Sequence, residues 1–151
     1  MAGLRYLLDT NILSEPLAAK PNAHVMARIE AHSSSLAISS ITWQELLYGM
    51  LLLAPGRRRE QIHSYLFQHI QPVLPILPFD SDAATWQARQ RARLRQAGKT
   101  PSYADSQIAA IAADNELVLI TRNISDFQDF DGLRIENWFD PEPTPGSHQG
   151  N

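Results

Sequence analysis

Leu7-Leu8-Asp9-Thr10-Asn11-Ile12-Leu13-Ser14-Glu15 is the stretch from which the rest of the chain is read. Leu4 to Leu8 is apolar apart from Arg5 and too short for a helix, which predicts a buried strand. In an open α/β sheet ligands bind beyond the carboxyl ends of the strands, and Asp9 falls at that place. Two readings of Asp9 follow. It caps a helix that begins at Thr10, or it is the first of several carboxylates that meet around a hard metal ion.

Working outward, apolar runs alternate with helical patterns. A helix is predicted over Asn22 to His32, a strand over Leu36 to Ile38, and a long apolar helical run from Ser39 to Leu53 that stops at Ala54-Pro55-Gly56. Arg57 to Gln71 pairs with it as a helical hairpin. Val73 to Phe79, interrupted by Pro75 and Pro78, suits an edge strand. Asp80-Ser81-Asp82 caps a helix over Ala83 to Ala97 that Gly98 closes, and Ser102 opens an alanine-rich helix through Asn115. Leu117 to Ile120 is a strand, Ile124 to Phe130 a short helix or turn, and Arg134 to Trp138 a last strand. Strands alternating with helices call for a three-layer α/β/α domain with a central parallel sheet and right-handed crossovers. Residues 1–139 read as that domain, and residues 140–151, with three prolines and almost no apolar side chain, as a disordered tail.

Composition narrows the function classes. The 151 residues suffice for one domain with its own core, 44% are hydrophobic and 19% charged, and there is no cysteine, which excludes disulfides and thiolate chemistry. The N-terminus has no room for a signal peptide, and no apolar stretch approaches the roughly 20 residues that span a bilayer, so a soluble, cytoplasmic protein is expected. A formal charge of -3 argues against attraction of the whole molecule to nucleic acid. Eight of the 13 Lys and Arg residues nevertheless fall at Arg57 to Arg59 and at Arg89, Arg91, Arg93, Arg95 and Lys99. They form either solvated helix faces or local phosphate sites.

Four places carry an acid or amide at the boundary of a buried element: Asp9, Glu45, Asp105, and Asn123 or Asp126. In a doubly wound sheet these boundaries share one edge, so acids far apart in sequence become neighbours. Thr42-x-x-Glu45 and Ser102-x-x-Asp105 also fit capping boxes. Capping does not explain why Glu45 stands among Trp43, Leu46 and Leu47, or why Asp105 opens so apolar a helix. Several carboxylates facing one pocket repel unless a cation neutralises them. Oxygen ligands without Cys or spaced His favour Mg²⁺ or Mn²⁺ over zinc. Glycine-rich nucleotide loops and the serine-hydrolase elbow are absent. Trp43, Tyr48, Trp86, Tyr103 and Phe127 read as core aromatics rather than base-stacking platforms.

Leu7 to Glu15, then Trp43-Gln44-Glu45-Leu46-Leu47-Tyr48-Gly49, then Ala104-Asp105-Ser106-Gln107-Ile108-Ala109-Ala110, then Thr121-Arg122-Asn123-Ile124-Ser125-Asp126-Phe127, together resemble the successive motifs of PIN-domain toxins of the VapC and FitB type. The resemblance covers about residues 4–138. It implies a Mg²⁺- or Mn²⁺-dependent endoribonuclease of a type II toxin–antitoxin system, cutting RNA with a metal-activated water and inhibited by a cognate antitoxin. A homodimer is implied too, with operator DNA reached only through the antitoxin and no membrane partner. By motif position Asp9, Glu45 and Asp105 correspond to the family's acidic metal ligands. Asp126 is favoured as the fourth acid, with Asn123 orienting a water or the loop. Thr10, Asn11 and Thr121 suit supporting hydrogen bonds to carboxylates or water. Arg89, Arg93 and Arg122, with Arg91 and Arg95, are candidates for RNA backbone contacts. Two other classes stand beside this one: a non-catalytic binding partner, and a metal-dependent phosphatase suggested by the acid after the first strand.

Overall fold

Tyr6–Leu8, the apolar run ahead of Asp9, is a strand with all three side chains buried, β1, in the computed structural model, which describes residues 3–142. Its neighbours are β2 (Leu36–Ser39) and β4 (Val118–Ile120), both parallel to it, in the register Tyr6 to Leu36 and Leu8 to Ile120. β3 (Ile76–Leu77) and β5 (Ile135–Glu136) complete a five-stranded sheet in the order β3-β2-β1-β4-β5. All four pairings are parallel. β3 is an edge strand of only two residues, as its flanking Pro75 and Pro78 require. The Pro75 carbonyl still accepts from Ile38 N–H at 3.0 Å.

Between the strands lie α1 (Thr10–Leu13), α2 (Ala23–Ala31), α3 (Ser40–Leu51), α4 (Arg57–Ser64), α5 (Ser81–Gln96) and α6 (Tyr103–Asp114). α4 runs on as a π-helical segment, Tyr65–Ile70, where a regular helix was expected through Gln71. There the half-buried Tyr65 donates its hydroxyl proton to the Leu13 carbonyl at 2.6 Å, and burial pushes its pKa up.

The period of two along the strands sorts side chains into two cores. Leu7, Ala37 and Leu119 meet Ala83 and Leu94 of α5, Ile108 to Ala112 of α6, and Phe127 and Phe130. Tyr6, Leu8, Ile38 and Ile120 meet Ile12, Leu13, Val25, Ile70 and Trp138 on the opposite face. These are the three layers the alternation calls for. No helix of the described residues is long and apolar enough to cross a membrane.

Helix termini follow local chemistry, with one correction. Asn22, Asp80 and Ser102 cap α2, α5 and α6 through their side chains. The Thr42–Glu45 capping box is not formed. β2 ends at Ser39, which leads directly into α3, so Ser39 Oγ is the cap and accepts from Thr42 N–H at 3.0 Å. At the end of α5, Gly98 adopts φ 81°, a conformation that favours glycine. There Gly98 N–H donates to the Arg95 carbonyl at 3.0 Å and Lys99 N–H to the Leu94 carbonyl at 2.8 Å, which turns the chain back toward α6.

The expected tail lies largely in residues 143–151, outside the described residues. Just before it, the nearly buried Arg28 stands 3.5 Å from Glu142 Oε1.

Leu119 is fully buried in β4. Leu119→Ala is expected to destabilise the domain by about 2–5 kcal/mol, measured by urea unfolding. A change below about 1 kcal/mol would contradict the packing of α5 and α6 on β4.

Candidate metal centre

The strand order reverses between β1 and β4, one connection leading away to each side, and the crevice at such a switch point is where doubly wound sheets bind ligands. Asp9 and Thr121 follow those two strands directly. Asp9 N–H donates to the Ile120 carbonyl at 2.9 Å, so the strand ends are pinned side by side. Asp9 does cap α1: Oδ1 accepts from Thr10 N–H at 2.8 Å. Oδ2 accepts from the Thr121 hydroxyl at 2.7 Å, and Thr121 Oγ1 in turn accepts from Asn123 N–H at 3.1 Å. Asn11 Oδ1 accepts from Arg122 N–H at 3.1 Å, tying α1 to the loop after β4.

The second acid is held by the first helix. Thr10 Oγ1 donates to Glu45 Oε1 at 2.9 Å and lies 3.4 Å from Thr42 Oγ1. Thr10 has one hydroxyl proton and Glu45 takes it, so Thr42 is the donor of that pair. The fully buried Thr42 is thus a supporting residue, where its spacing to Glu45 suggests only a cap. Its signal in the sequence is the close run of hydroxyls Ser39, Ser40 and Thr42 ahead of Glu45.

Asp105 stands half-buried in the first turn of α6, its N–H donating to Ser102 Oγ at 3.0 Å. That turn is anchored from below. Ser106 Oγ donates to the Ser102 carbonyl at 2.8 Å and accepts from Gln87 Nε2 of α5 at 2.9 Å. Asp126 belongs to a 3-10 turn, Ile124–Asp126, and shares one cleft with Ser102 and Asp105. Asn123 does not line that cleft, and its contact with the network is through its backbone N–H.

Charge follows the same geometry. Burial raises the pKa of Asp9 above the ordinary aspartate value, the Thr121 and Thr10 hydrogen bonds oppose it, and repulsion from Asp105 and Glu45 adds to it. Burial likewise raises Asp105, opposed by a hydrogen bond with Ser102 and reinforced by Asp126. Glu45, Asp9, Asp105 and Asp126 therefore form one chain of mutually repelling acids, with no Cys in the protein and no His lining the cleft. Oxygen donors alone, with surplus negative charge at a buried position, are the donor set of a site compatible with a hard metal ion. A tighter trio exists elsewhere: oxygens of the exposed Asp80, Asp82 and Asp114 lie within 4.8 Å of one another. Asp114 ends α6, about 14 Å along the helix from Asp105 at 1.5 Å per residue.

The arginines divide. Arg93 pairs with Asp131 at 3.0 Å and donates to the Asp129 carbonyl at 2.7 Å. Arg122 is exposed over the Phe139 ring at 4.3 Å, and Arg89 is exposed on α5. Of the expected core aromatics, Phe127 is buried and Trp43 and Trp86 pack against the two cores. Tyr48 and Tyr103 do not, being 57% and 67% exposed. Tyr103 occupies the first position of α6, before the helix reaches the sheet.

Fold and site together define a parallel α/β/α domain with an acidic cluster, compatible with a metal ion, at its switch point. The chain belongs to the PIN domain family, which it matches over residues 6–133. The plasmid stability protein StbB of Pseudomonas syringae pv. tomato is 38% identical, over 87% of this chain and 96% of its own. Toxin FitB of Neisseria gonorrhoeae is 36% identical, over 89% and 99%, and the crystal structure of FitAcB from that species superposes with a TM-score of 0.82, covering 89% and 98% of the two chains. The tRNA(fMet)-specific endonuclease VapC of Salmonella typhimurium is 34% identical, over 89% and 98%. A DNA-bound VapBC from the same organism, 33% identical, has a TM-score of 0.77 over 89% and 98%.

Because its folded pKa is raised, Asp9 holds a proton more tightly in the fold than in the unfolded chain. The stabilisation this gives is complete below the ordinary aspartate range and lost as pH rises through the raised value. In EDTA at pH 7, Asp9→Asn is therefore expected to raise Tm. Mg²⁺ or Mn²⁺ is expected to raise the Tm of the parent protein only. A Tm lowered by the substitution would contradict the charge balance described.

Proposed function

We propose that this chain is the toxin of a type II toxin–antitoxin pair, an endoribonuclease whose centre is Asp9, Glu45, Asp105 and Asp126 with Mg²⁺ or Mn²⁺. The observation that carries the reading is the grouping of these acids near the β1/β4 switch point, where burial, reinforced by repulsion among them, raises the pKa of Asp9 and Asp105. The relatives named FitB toxin and VapC endonuclease support the same activity. Asp126 is assigned as the fourth acid over Asn123 because it shares the cleft of Asp105 and acts on its charge.

The chemistry supplied by a bound divalent ion is Lewis acidity: activation of a water and stabilisation of charge on the departing oxygen. The protein's part is to hold the carboxylates aimed. Thr121 and Thr10 N–H occupy one lone pair on each Asp9 oxygen, leaving others free for a cation. The Thr10 hydroxyl orients Glu45, and Ser102 orients Asp105. No side-chain nucleophile is required, so the reading does not depend on a Ser, His or Cys in the crevice.

We assign the antitoxin and a second copy of this chain to apolar surface such as Tyr48, Leu51 and the C-cap Leu52, exposed at the end of α3. Operator DNA is reached through the antitoxin, consistent with the net charge of -3. A cytoplasmic location follows from an RNA substrate, and the catalytic domain is residues 1–139.

Purified protein is expected to cleave RNA with Mg²⁺ or Mn²⁺ and to stop in EDTA. Asp9→Asn abolishes cleavage, and Thr121→Val, which removes the donor to Asp9, lowers it by about 10–100-fold. Undiminished cleavage by Asp9→Asn would refute the centre. Metal-dependent turnover of phosphomonoesters without RNA cleavage would favour a phosphatase.

A further inference from the structure

The five basic side chains on α5 and just beyond it do not act as one patch. Arg93 is committed to Asp131 and the Asp129 carbonyl, and Lys99 Nζ pairs with Asp129 Oδ1 at 3.1 Å, which leaves Arg91 and Arg95 as the cleft's guanidinium groups. Arg91 and Arg95, one helical turn apart, turn instead to a separate cleft of about 640 Å³, lined also by Lys99, Thr100, Pro101 and Tyr103 and by no acid. Arg91 donates to the Pro101 carbonyl at 2.6 Å, and its guanidinium lies 4.0 Å from the centre of the Tyr103 ring. Arg95 is exposed and makes no ion pair among the described residues, and Tyr103 keeps two-thirds of its surface in water.

This cleft adjoins the acidic centre. Lys99, Thr100 and Pro101 line both it and the cleft that holds Asp105 and Asp126. The Gly98 turn and the Arg91 bond to Pro101 fix that shared wall. A chain lying across Asp105 and Asp126 would cross it into the basic cleft.

We propose that the cleft of Arg91, Arg95, Lys99 and Tyr103 is a subsite for single-stranded RNA flanking the cut bond, where Tyr103 stacks one unpaired base and Arg95 contacts the backbone. The inference rests on the endoribonuclease reading. An aromatic plate backed by a guanidinium, with a free Arg and no acid, matches a base followed by a phosphate. An acidic peptide would use the charges and leave the ring without a role. Tyr103 thereby serves as a stacking platform, although its sequence context suggests a core aromatic.

The test is fluorescence anisotropy with a labelled single-stranded RNA oligonucleotide on the full-length Asp9→Asn protein, alongside Mg²⁺-dependent cleavage by proteins retaining Asp9. Tyr103→Ala is expected to weaken binding on the order of 10-fold, with Tyr103→Phe near the parent. Arg95→Ala, a surface change that leaves the fold intact, is expected to lower the slope of log affinity against log salt by about 0.7, while Lys20→Ala has no effect. In cleavage assays Tyr103→Ala and Arg95→Ala raise KM more than they lower kcat. If the parent cleaves RNA and both of these variants bind as it does, the subsite is overturned and the endoribonuclease reading stands. The subsite is overturned equally if the two variants lose an antitoxin peptide but keep RNA. If the parent neither cleaves nor binds RNA, both readings fall.

Discussion

Asp9 is buried, carries both oxygens in hydrogen bonds, and is repelled by two other acids. A carboxylate so placed is unfavourable in a bare protein, and what surrounds it follows from that cost. Thr10 N–H and the Thr121 hydroxyl lower the penalty, and each is delivered by the element that begins where its strand stops. Thr10 also serves Glu45, so one threonine joins two acids from elements far apart in sequence. The bond between Asp9 N–H and the Ile120 carbonyl keeps β1 and β4 in register, which brings Asp9 within reach of Thr121.

The acids differ in how firmly they are held. Asp9 and Glu45 sit on a network of threonine hydroxyls. Asp105 depends on the first turn of α6, which is fastened from beneath by Ser106 and Gln87. Asp126 is exposed on a single 3-10 turn.

Much of this is readable in the chain because local signals and topology agree. The apolar run before Asp9, the prolines around β3 and the side-chain caps at Asn22, Asp80 and Ser102 each fix an element boundary by short-range chemistry. The alternation of strands and helices then puts the acids on one edge. Signals that depend on a partner distant in sequence are harder to read. Ser39 rather than Thr42 caps α3 because β2 runs to the residue before the helix. The arginines of α5 look alike in sequence, and only the loop containing Asp129 and Asp131 separates Arg93 from Arg91 and Arg95. Tyr103 resembles a core aromatic until the turn at Gly98 leaves it over an open cleft. Choosing between Asn123 and Asp126 likewise needs the path of the loop after β4.

We propose that the acids around Asp9, rather than any other carboxylates, hold the divalent ion. The exposed trio Asp80, Asp82 and Asp114 is the internal competitor, since its oxygens already lie within 4.8 Å of one another. Anomalous difference density from crystals grown with Mn²⁺ decides between them. A peak touching Asp9 and Asp105 is the expected result, and a peak confined to Asp80, Asp82 and Asp114, with none at Asp9, would contradict it.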